Sequence, residues 1–306
     1  MNCRTVEDSG NRSPAGEMIP MPETLNTLLF LLTDGLVWGL IVALCALGLT
    51  LIFGIMGIIN MAHGEVYMLG AMLAVSFSGW TGSFWLAFLA APLVVGILAL
   101  PVERWVMRPL EGKPLVTMVG TIGLSFILQQ VALIVFGGNP KLVAYPISGA
   151  VNLFGVIYPA YRLFAGGLGL VLIMGLWLLL YRTDVGILLR ATMEQPEMAD
   201  AIGINTSLIR VGTFGLGALL AAAGGVLAAP IRQVFFLMGG DIVLFSFMVV
   251  IVGGLGSLKG ALIAALFMSG LEGLLSAVVD PVQARALIML LMALILVFRP
   301  RGLFRD

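Results

Sequence analysis

A chain of 306 residues that is 60% hydrophobic and only 10% charged cannot cover a water-exposed surface with charge, since soluble domains carry about 25% charged residues. The net charge is zero and the basic residues are scattered among short connectors, which excludes a nucleic-acid-binding stripe. Cys3 and Cys45 lie in a polar tail and an apolar run, without the neighbours of a metal site or redox pair. We therefore expect an integral membrane protein rather than a soluble enzyme.

The N-terminal segment, 1–24, differs from the rest of the chain in composition. It holds four acidic residues, two basic residues and three prolines, with no apolar stretch comparable to the core of a signal peptide. We predict a disordered tail here and one transmembrane domain over 25–306. Because Met18 and Met21 directly precede the first apolar run, we hypothesise that translation starts at one of them rather than at Met1.

The apolar windows that follow are long enough for membrane helices, which need about 20 apolar residues to cross a bilayer. Nine candidates are 28–53, 65–78, 84–102, 115–136, 163–181, 208–230, 242–256, 260–279 and 284–298. Glycines and hydroxyls at 78–83 predict a turn between the second and third. We therefore predict an all-α fold, a polytopic bundle of eight or nine transmembrane helices. The range is eight to ten, because 54–64 and 240–260 could each be glycine-broken, re-entrant segments.

The basic residues predict the orientation, because short loops rich in Lys and Arg stay in the cytoplasm. If the spans alternate, one side holds Arg104, Arg108, Lys113, Arg182, Arg190, Arg210, Lys259, Arg299, Arg301 and Arg305. The other side holds Lys141, Arg162, Arg232 and Arg285. The first side is therefore predicted to be cytoplasmic, with the C-terminus inside and the N-terminal tail outside.

The first place where polar groups interrupt an apolar run is 53–65. It brings together three glycines, among them Gly64, with Asn60, the chain's only histidine, His63, and the carboxylate of Glu65. Ionisable groups at membrane depth are candidates for a substrate pathway. Alternatively, Asn60 and His63 cap a broken helix whose new N-terminus favours the anion Glu65. Both interpretations require a helix break here.

A second glycine-rich break occurs at 253–260, with Gly253, Gly254 and Gly256, and a new apolar run follows it directly. Paired breaks of this kind suggest an internal duplication, and in many transporters they line the substrate path near the midplane. No strand precedes the glycines and no lysine-hydroxyl pair follows, which excludes a phosphate-binding loop.

Glu272 is the other acidic residue inside a span, between Gly270 and Gly273. It is either a further pathway residue or a group that hydrogen-bonds a neighbouring helix.

The connector 183–208 is too long for an ordinary link between helices, which typically has about 2 to 8 residues. Mixed charge, an amphipathic rhythm and a proline after Gln195 predict a short helix lying at the cytoplasmic surface.

Three stretches together resemble one family: IINMAHGE at 58–65, GGLGSLKG at 253–260 and RPRGLF at 299–304. They are similar to the LivH-type permeases of branched-chain amino acid ABC transporters, and the likeness runs from about residue 25 to the end. The resemblance implies a permease subunit in the bacterial inner membrane. Its partners would be a second homologous permease, two cytoplasmic ABC ATPases and a periplasmic solute-binding protein that delivers the amino acid.

The resemblance also assigns a coupling segment. Residues 197–203, EMADAIG, resemble the EAA-x3-G stretch by which such permeases contact their ATPases, with Met198 at the second alanine position and no later Leu-Pro. The residues expected to make this contact are Arg190, Glu194, Glu197, Ala199 and Gly203. The candidate pathway residues are Asn60, His63, Gly64, Glu65, Gly253, Gly254, Gly256 and Glu272.

Alternatives remain at this stage. Met61 stands where the family usually has Phe, a difference also met in urea permeases, so a urea or short-amide permease is the first alternative. An ion-coupled secondary transporter would need buried acids in the spans, for which Glu65 and Glu272 are available. A membrane enzyme lacks a convincing acid-base or metal set, and a purely structural subunit would not depend on ATPases. The sequence holds no Walker motif, so we expect ATP hydrolysis by separate chains and no cofactor.

Overall fold

The computed structural model describes residues 23–110, 112–153, 155–299 and 302–303. The first half of the bundle consists of α1 (Glu23–Met56), α2 (His63–Thr81), α3 (Phe84–Val102), α4 (Pro114–Phe136) and α5 (Ala160–Arg182). The second half consists of α6 (Asp184–Glu194), α7 (Pro196–Ala201), α8 (Thr206–Ala228), α9 (Met238–Gly253), α10 (Leu258–Leu275) and α11 (Pro281–Phe298). A π-helical turn at Glu103–Met107 and a 3-10 turn at Arg108–Leu110 extend α3.

Each of the nine predicted windows falls on one of these helices, and the predicted all-α polytopic bundle is confirmed. Seven of the described helices are long and apolar enough to cross a bilayer. The other two windows correspond to α9, which has 16 residues, and α2, which carries His63 and Glu65 in its first turn. The predictions for the tail, for Cys3 and the start codon, and for the last basic residues, Arg301 and Arg305, fall outside the described residues.

Two local details differ from the sequence prediction. The turn expected at 78–83 is shorter, because α2 continues to Thr81 and only Gly82 and Ser83 leave the helix. Gly82 adopts φ 67°, a left-handed conformation that glycine reaches without steric cost. The outer connector contains an unpredicted antiparallel hairpin, β1 (Ala150–Leu153) and β2 (Val156–Pro159).

The core lies around α1, which packs against α8 and α10, and small residues make that packing close. A Cβ at Gly217 in α8 would lie 2.7 Å from the Gly48 carbonyl oxygen of α1. A Cβ at Gly273 in α10 would lie 2.3 Å from the Leu31 carbonyl oxygen of α1. These glycines therefore bring helix backbones together, as small residues do in membrane bundles. Cys45 lies fully buried in the same core.

The connectors gather at two opposite ends of the bundle. The C-terminal end of α1, the helix α6 and the turn between α9 and α10 border one cavity. At the other end, Lys141 and Val234 pair through their backbones with hydrogen bonds of 2.9 and 2.8 Å. Alternation therefore places α6 and α7 at the end predicted to be cytoplasmic, opposite the hairpin.

Candidate translocation pathway and coupling surface

The helix break predicted near Asn60 is a re-entrant segment. Helix α1 ends at Met56, Gly57 turns the chain with φ 62°, and α2 begins only at His63. The residues between them run beside α4, where the Met61 N–H donates to Thr121 Oγ1 at 3.1 Å. The chain thus turns back into the bundle before α2 starts, which explains why α2 has polar residues in its first turn.

Asn60 and His63 hold the start of α2 in place. Asn60 Oδ1 accepts a hydrogen bond from the Ala62 N–H at 3.1 Å. The His63 ring is fully buried and its Nε2 donates to the Cys45 carbonyl oxygen of α1 at 3.1 Å. A carbonyl oxygen only accepts, so Nε2 carries the hydrogen. Both contacts are structural, but neither side chain caps α2, because Asn60 bonds the Ala62 N–H just before the helix and His63 bonds α1.

Glu65 lies inside the bundle with only 1% of its surface exposed. Its Oε1 accepts hydrogen bonds from Ser125 Oγ at 2.8 Å and from Gln129 Nε2 at 2.7 Å, both on α4. Its Oε2 has no hydrogen-bond partner among the described residues and faces Gly239, where a Cβ would lie 2.5 Å away. The carboxylate therefore stands at the meeting point of α2, α4 and the start of α9.

Gly64 makes this meeting possible. A Cβ at Gly64 would lie 2.1 Å from the Gly239 carbonyl oxygen, a distance that no side chain tolerates. The first turns of α2 and α9 consequently touch through backbone, and Glu65 is held in the gap beside them.

The residues of α4 that contact this segment are not among the predicted site residues. Thr117, Thr121, Ser125 and Gln129 recur every four residues along an otherwise apolar helix, so they share one face. Thr121, Ser125 and Gln129 all bond to the re-entrant segment or to Glu65. The four-residue spacing of these polar side chains along α4 was the feature of the sequence that could have identified this face.

The second glycine break has a different geometry. Helix α9 ends at Gly253, and α10 is capped by Ser257, whose Oγ accepts a hydrogen bond from the Gly260 N–H at 3.1 Å. The two helix ends are close, since a Cβ at Gly260 would lie 1.9 Å from the Gly253 carbonyl oxygen. Gly254 and Gly256 have φ 99° and 86°. This is a tight turn at the cytoplasmic end rather than a second re-entrant segment.

The end of the chain covers that turn. The Leu303 N–H donates to the Val252 carbonyl oxygen at 2.8 Å, and a Cβ at Gly302 would lie 2.7 Å from Gly254 Cα. The turn also borders a cavity of about 650 Å³ that includes Arg190 and Glu194 of α6.

The connector 183–208 folds into two short helices. Thr183 Oγ1 accepts from the Gly186 N–H at 3.2 Å to cap α6, and α7 begins at Pro196, as predicted. Gly203 then leaves α7 with φ 89°. The predicted short helix is therefore present, and α6 precedes it as an additional one.

The side chains of α7 divide between the bundle and the surface. Ala199 is 2% exposed, whereas Glu197 and Met198 are exposed. Arg190 of α6 lies over the Tyr181 ring at 4.9 Å. The exposed apolar side chains of this connector are Val185, Ile187, Leu188, Met198, Ile202 and Leu208. We name these side chains, together with the exposed acidic residues Asp184, Glu194, Glu197 and Asp200, the coupling surface, after the role that the resemblance implies.

Glu272 pairs with α11, as the interhelical interpretation predicts. Arg285 Nε donates to Glu272 Oε1 at 3.0 Å, near the outer end of the bundle. A second ion pair nearby joins Arg162 to Asp34, which also accepts from the Tyr158 hydroxyl at 2.9 Å. Burial raises the pKa of Tyr158, and the neighbouring Asp34 adds to the effect.

Two adjoining cavities lie among these outer groups and share Trp38, Arg232 and Arg285. Their volumes are about 280 and 420 Å³. The Arg232 guanidinium lies over the Trp38 ring at 3.8 Å. Desolvation lowers the pKa of Arg232, and the neighbouring Arg285 lowers it further. The sequence alone predicted these arginines only as charges of the outer connectors.

Comparison with known proteins identifies the family. The family model for the branched-chain amino acid transport system permease component matches residues 31–298. The chain belongs to this permease family. It is 30% identical over 303 residues to the high-affinity branched-chain amino acid transport permease BraD of Pseudomonas aeruginosa, covering 92% of this chain and 97% of BraD. It is 29% identical over 292 residues to LivH of Salmonella typhimurium, covering 88% and 93% of the two chains.

The permease fold also resembles a solved structure, PsaBC from Streptococcus pneumoniae in complex with Fab. The TM-score is 0.50 at 18% identity, and the likeness covers 90% of this chain and 94% of that one. The chain belongs to the permease family, and seven helices in the described residues are long and apolar enough to cross a membrane. It is therefore a multi-pass membrane protein, which in bacteria lies in the inner membrane.

Proposed function

We propose that the chain is the membrane-spanning permease subunit of an ATP-driven importer of branched-chain amino acids. The observation that carries the proposal is the likeness to BraD, because it extends over almost the whole of both chains. The relatives named above are both permeases of branched-chain amino acid transport systems, so they do not favour a urea or short-amide cargo. The partners of Glu65 and Glu272 within the bundle likewise favour structural roles over ion coupling.

The proposed complex contains a second, homologous permease, two cytoplasmic ABC ATPases and a periplasmic solute-binding protein. This subunit performs no catalysis in the proposal, and ATP is hydrolysed by the separate ATPase chains. The coupling surface supports this arrangement, since it presents Glu197 and Met198 at the end of the bundle predicted to face the cytoplasm.

The contacts of α6 suggest how an ATPase would move the pathway. Met193 of α6 lies against α1 at Gly54, where a Cβ would meet Met193 Cε at 2.2 Å. Gly54 lies three residues before Gly57, where the re-entrant segment begins. A displacement of α6 would therefore reach the segment that carries Asn60, His63, Gly64 and Glu65 through one pair of touching residues.

In this mechanism the re-entrant segment is the moving part of the pathway. Glu65 keeps one carboxylate oxygen without a partner, and its two donors lie on α4, so a shift of α2 relative to α4 exchanges its hydrogen bonds. Gly253, Gly254 and Gly256 shape the cytoplasmic end of the same route, next to Arg190 and Glu194.

Reconstitution tests the proposal. The chain is expressed with the partner genes, purified in detergent and placed in proteoliposomes with the solute-binding protein. We expect uptake of radiolabelled leucine, isoleucine or valine that requires ATP and the binding protein. Uptake by this chain alone, or uptake of urea but of none of these amino acids, would contradict the proposal.

A further inference from the structure

The outer cavities bring several charged groups together, and among them Arg232 takes part neither in the interhelical ion pairs nor in the coupling mechanism. The larger one is lined by two acids, Asp34 and Glu272, and two bases, Arg232 and Arg285. Its volume of about 420 Å³ lies within the range of about 300 to 1,000 Å³ that is usual for small-molecule sites. Val282, in the first turn of α11, also lines the cavity and is 81% exposed.

Ion pairs engage the other bases of this cluster and leave Arg232 and Asp241, which both line the smaller cavity, without an ion pair among the described residues. Asp34 pairs with Arg162, and Glu272 pairs with Arg285. The guanidinium of Arg232 makes no hydrogen bond to any described residue and rests on Trp38. Arginine binds carboxylates through two parallel hydrogen bonds, so Arg232 is available for an anionic group that enters the cavity.

Two acceptors in the same cavity also lack partners. Glu272 Oε2 and Ser269 Oγ are buried and have no hydrogen-bond partner in the described part of the chain. Ser269 is only 1% exposed, and the Glu272 side chain is 12% exposed. Buried polar atoms are normally satisfied, and these two acceptors would suit a positively charged donor such as an ammonium group.

The adjoining cavity supplies an apolar end. Beyond the shared Arg232 it is walled by Phe235, Met238, Ile242 and Phe245, of which the last three are buried. The polar side chains of Tyr67, Gln233 and Asp241 also line it. A cation site, an anion site and an apolar wall next to each other are the three features needed to hold an aliphatic amino acid.

We propose that the outer cavities form a binding site for a zwitterionic aliphatic amino acid in this subunit itself. Arg232 binds its α-carboxylate, Glu272 and Ser269 accept from its α-ammonium, and its side chain lies against Ile242 and Phe245. This inference rests on the proposed function, since it describes where the cargo first contacts the permease after release from the solute-binding protein.

Binding of radiolabelled leucine to the purified, nucleotide-free complex, without the solute-binding protein, tests the site. We expect saturable binding. Leucinamide, which lacks the carboxylate, and 4-methylpentanoate, which lacks the ammonium, should compete at least about tenfold more weakly, because each loses a charge-assisted hydrogen bond.

Two variants test which side chain binds each end of the ligand. Arg232→Gln should weaken leucine binding roughly tenfold or more and leave the weak binding of leucinamide unchanged. Ser269→Ala should weaken leucine binding and leave 4-methylpentanoate unchanged. Since Ser269 Oγ has no partner, its removal breaks no hydrogen bond of the described structure. Lys141→Gln is the matched control, because it removes an exposed outer charge that lines neither cavity, keeps the backbone pair with Val234, and should change nothing.

The outcomes separate this site from the proposed function. Absence of leucine binding by the wild-type complex, or equal effects of Arg232→Gln on leucine and leucinamide, would overturn the site even if ATP-driven leucine uptake persists. Failure of the wild-type proteoliposomes to take up any branched-chain amino acid would instead overturn the proposed function.

Discussion

Gln129 of α4 donates a 2.7 Å hydrogen bond to the buried carboxylate of Glu65 in the first turn of α2. This bond joins two helices that are separated in sequence by α3, at the level where the re-entrant segment ends. Within the described residues no basic side chain pairs with Glu65, and the donors to its carboxyl group both lie on α4. Because this hydrogen bond is buried, removing either Gln129 or Glu65 should lower the stability of the folded bundle.

Replacing Gln129 with leucine should destabilise the folded permease. The buried carboxylate would lose one of its two donors, which typically costs about 1 to 3 kcal/mol. Thermal unfolding in detergent should show a lower midpoint. Gln130→Leu is the control, because the neighbouring amide is exposed and should tolerate the change. Equal midpoints for the two variants would show that the bond contributes nothing.

Gly239→Ala should destabilise the contact between α2 and α9. The added methyl would lie 2.5 Å from Glu65 Oε2 and 2.7 Å from the Gly64 carbonyl oxygen, so the helices must separate. Overpacking of this kind costs about 1 to 3 kcal/mol. At Gly240 a Cβ meets nothing within 4 Å, so Gly240→Ala should fold normally. Yield and thermal unfolding midpoint compare the two, and a normal Gly239→Ala protein would contradict the close approach.

Glu197→Arg should leave membrane insertion intact and reduce ATP-dependent uptake at least about tenfold, as loss of a charged interface contact does. The side chain is exposed on α7, so the change alters the coupling surface and not the core. Uptake and ATPase activity are measured together in proteoliposomes. Glu197→Gln should have a smaller effect, since it only removes the charge. Full coupled uptake by the arginine variant would refute the role of the coupling surface.

The ion pair between Glu272 and Arg285 should give a measurable coupling free energy in a double-mutant cycle. Both side chains are partly shielded, with 12% and 30% of their surfaces exposed. We expect Glu272→Gln and Arg285→Gln to be non-additive by about 0.5 to 1 kcal/mol in detergent unfolding experiments. Additive effects would mean that the pair seen at 3.0 Å has no energetic coupling.

The positions of the apolar helices follow from the sequence alone, although seven of the described helices, not eight or nine, are long and apolar enough to cross a bilayer. Apolar length decides this, because a backbone in lipid must satisfy its own hydrogen bonds. Local chemistry also located the breaks at Gly57 and Gly254 and the start of α7 at Pro196, since glycine and proline restrict the backbone in known ways.

Only the tertiary structure decided which polar groups meet. The partners Glu65 and Gln129 are 64 residues apart, and Arg232 reaches Trp38 across most of the chain. The tertiary structure also shows that the glycine break at Gly57 is a re-entrant segment, whereas the break at Gly254 is a tight turn. Such contacts depend on which faces of the helices are brought together, and helix periodicity identifies a face without naming its partner.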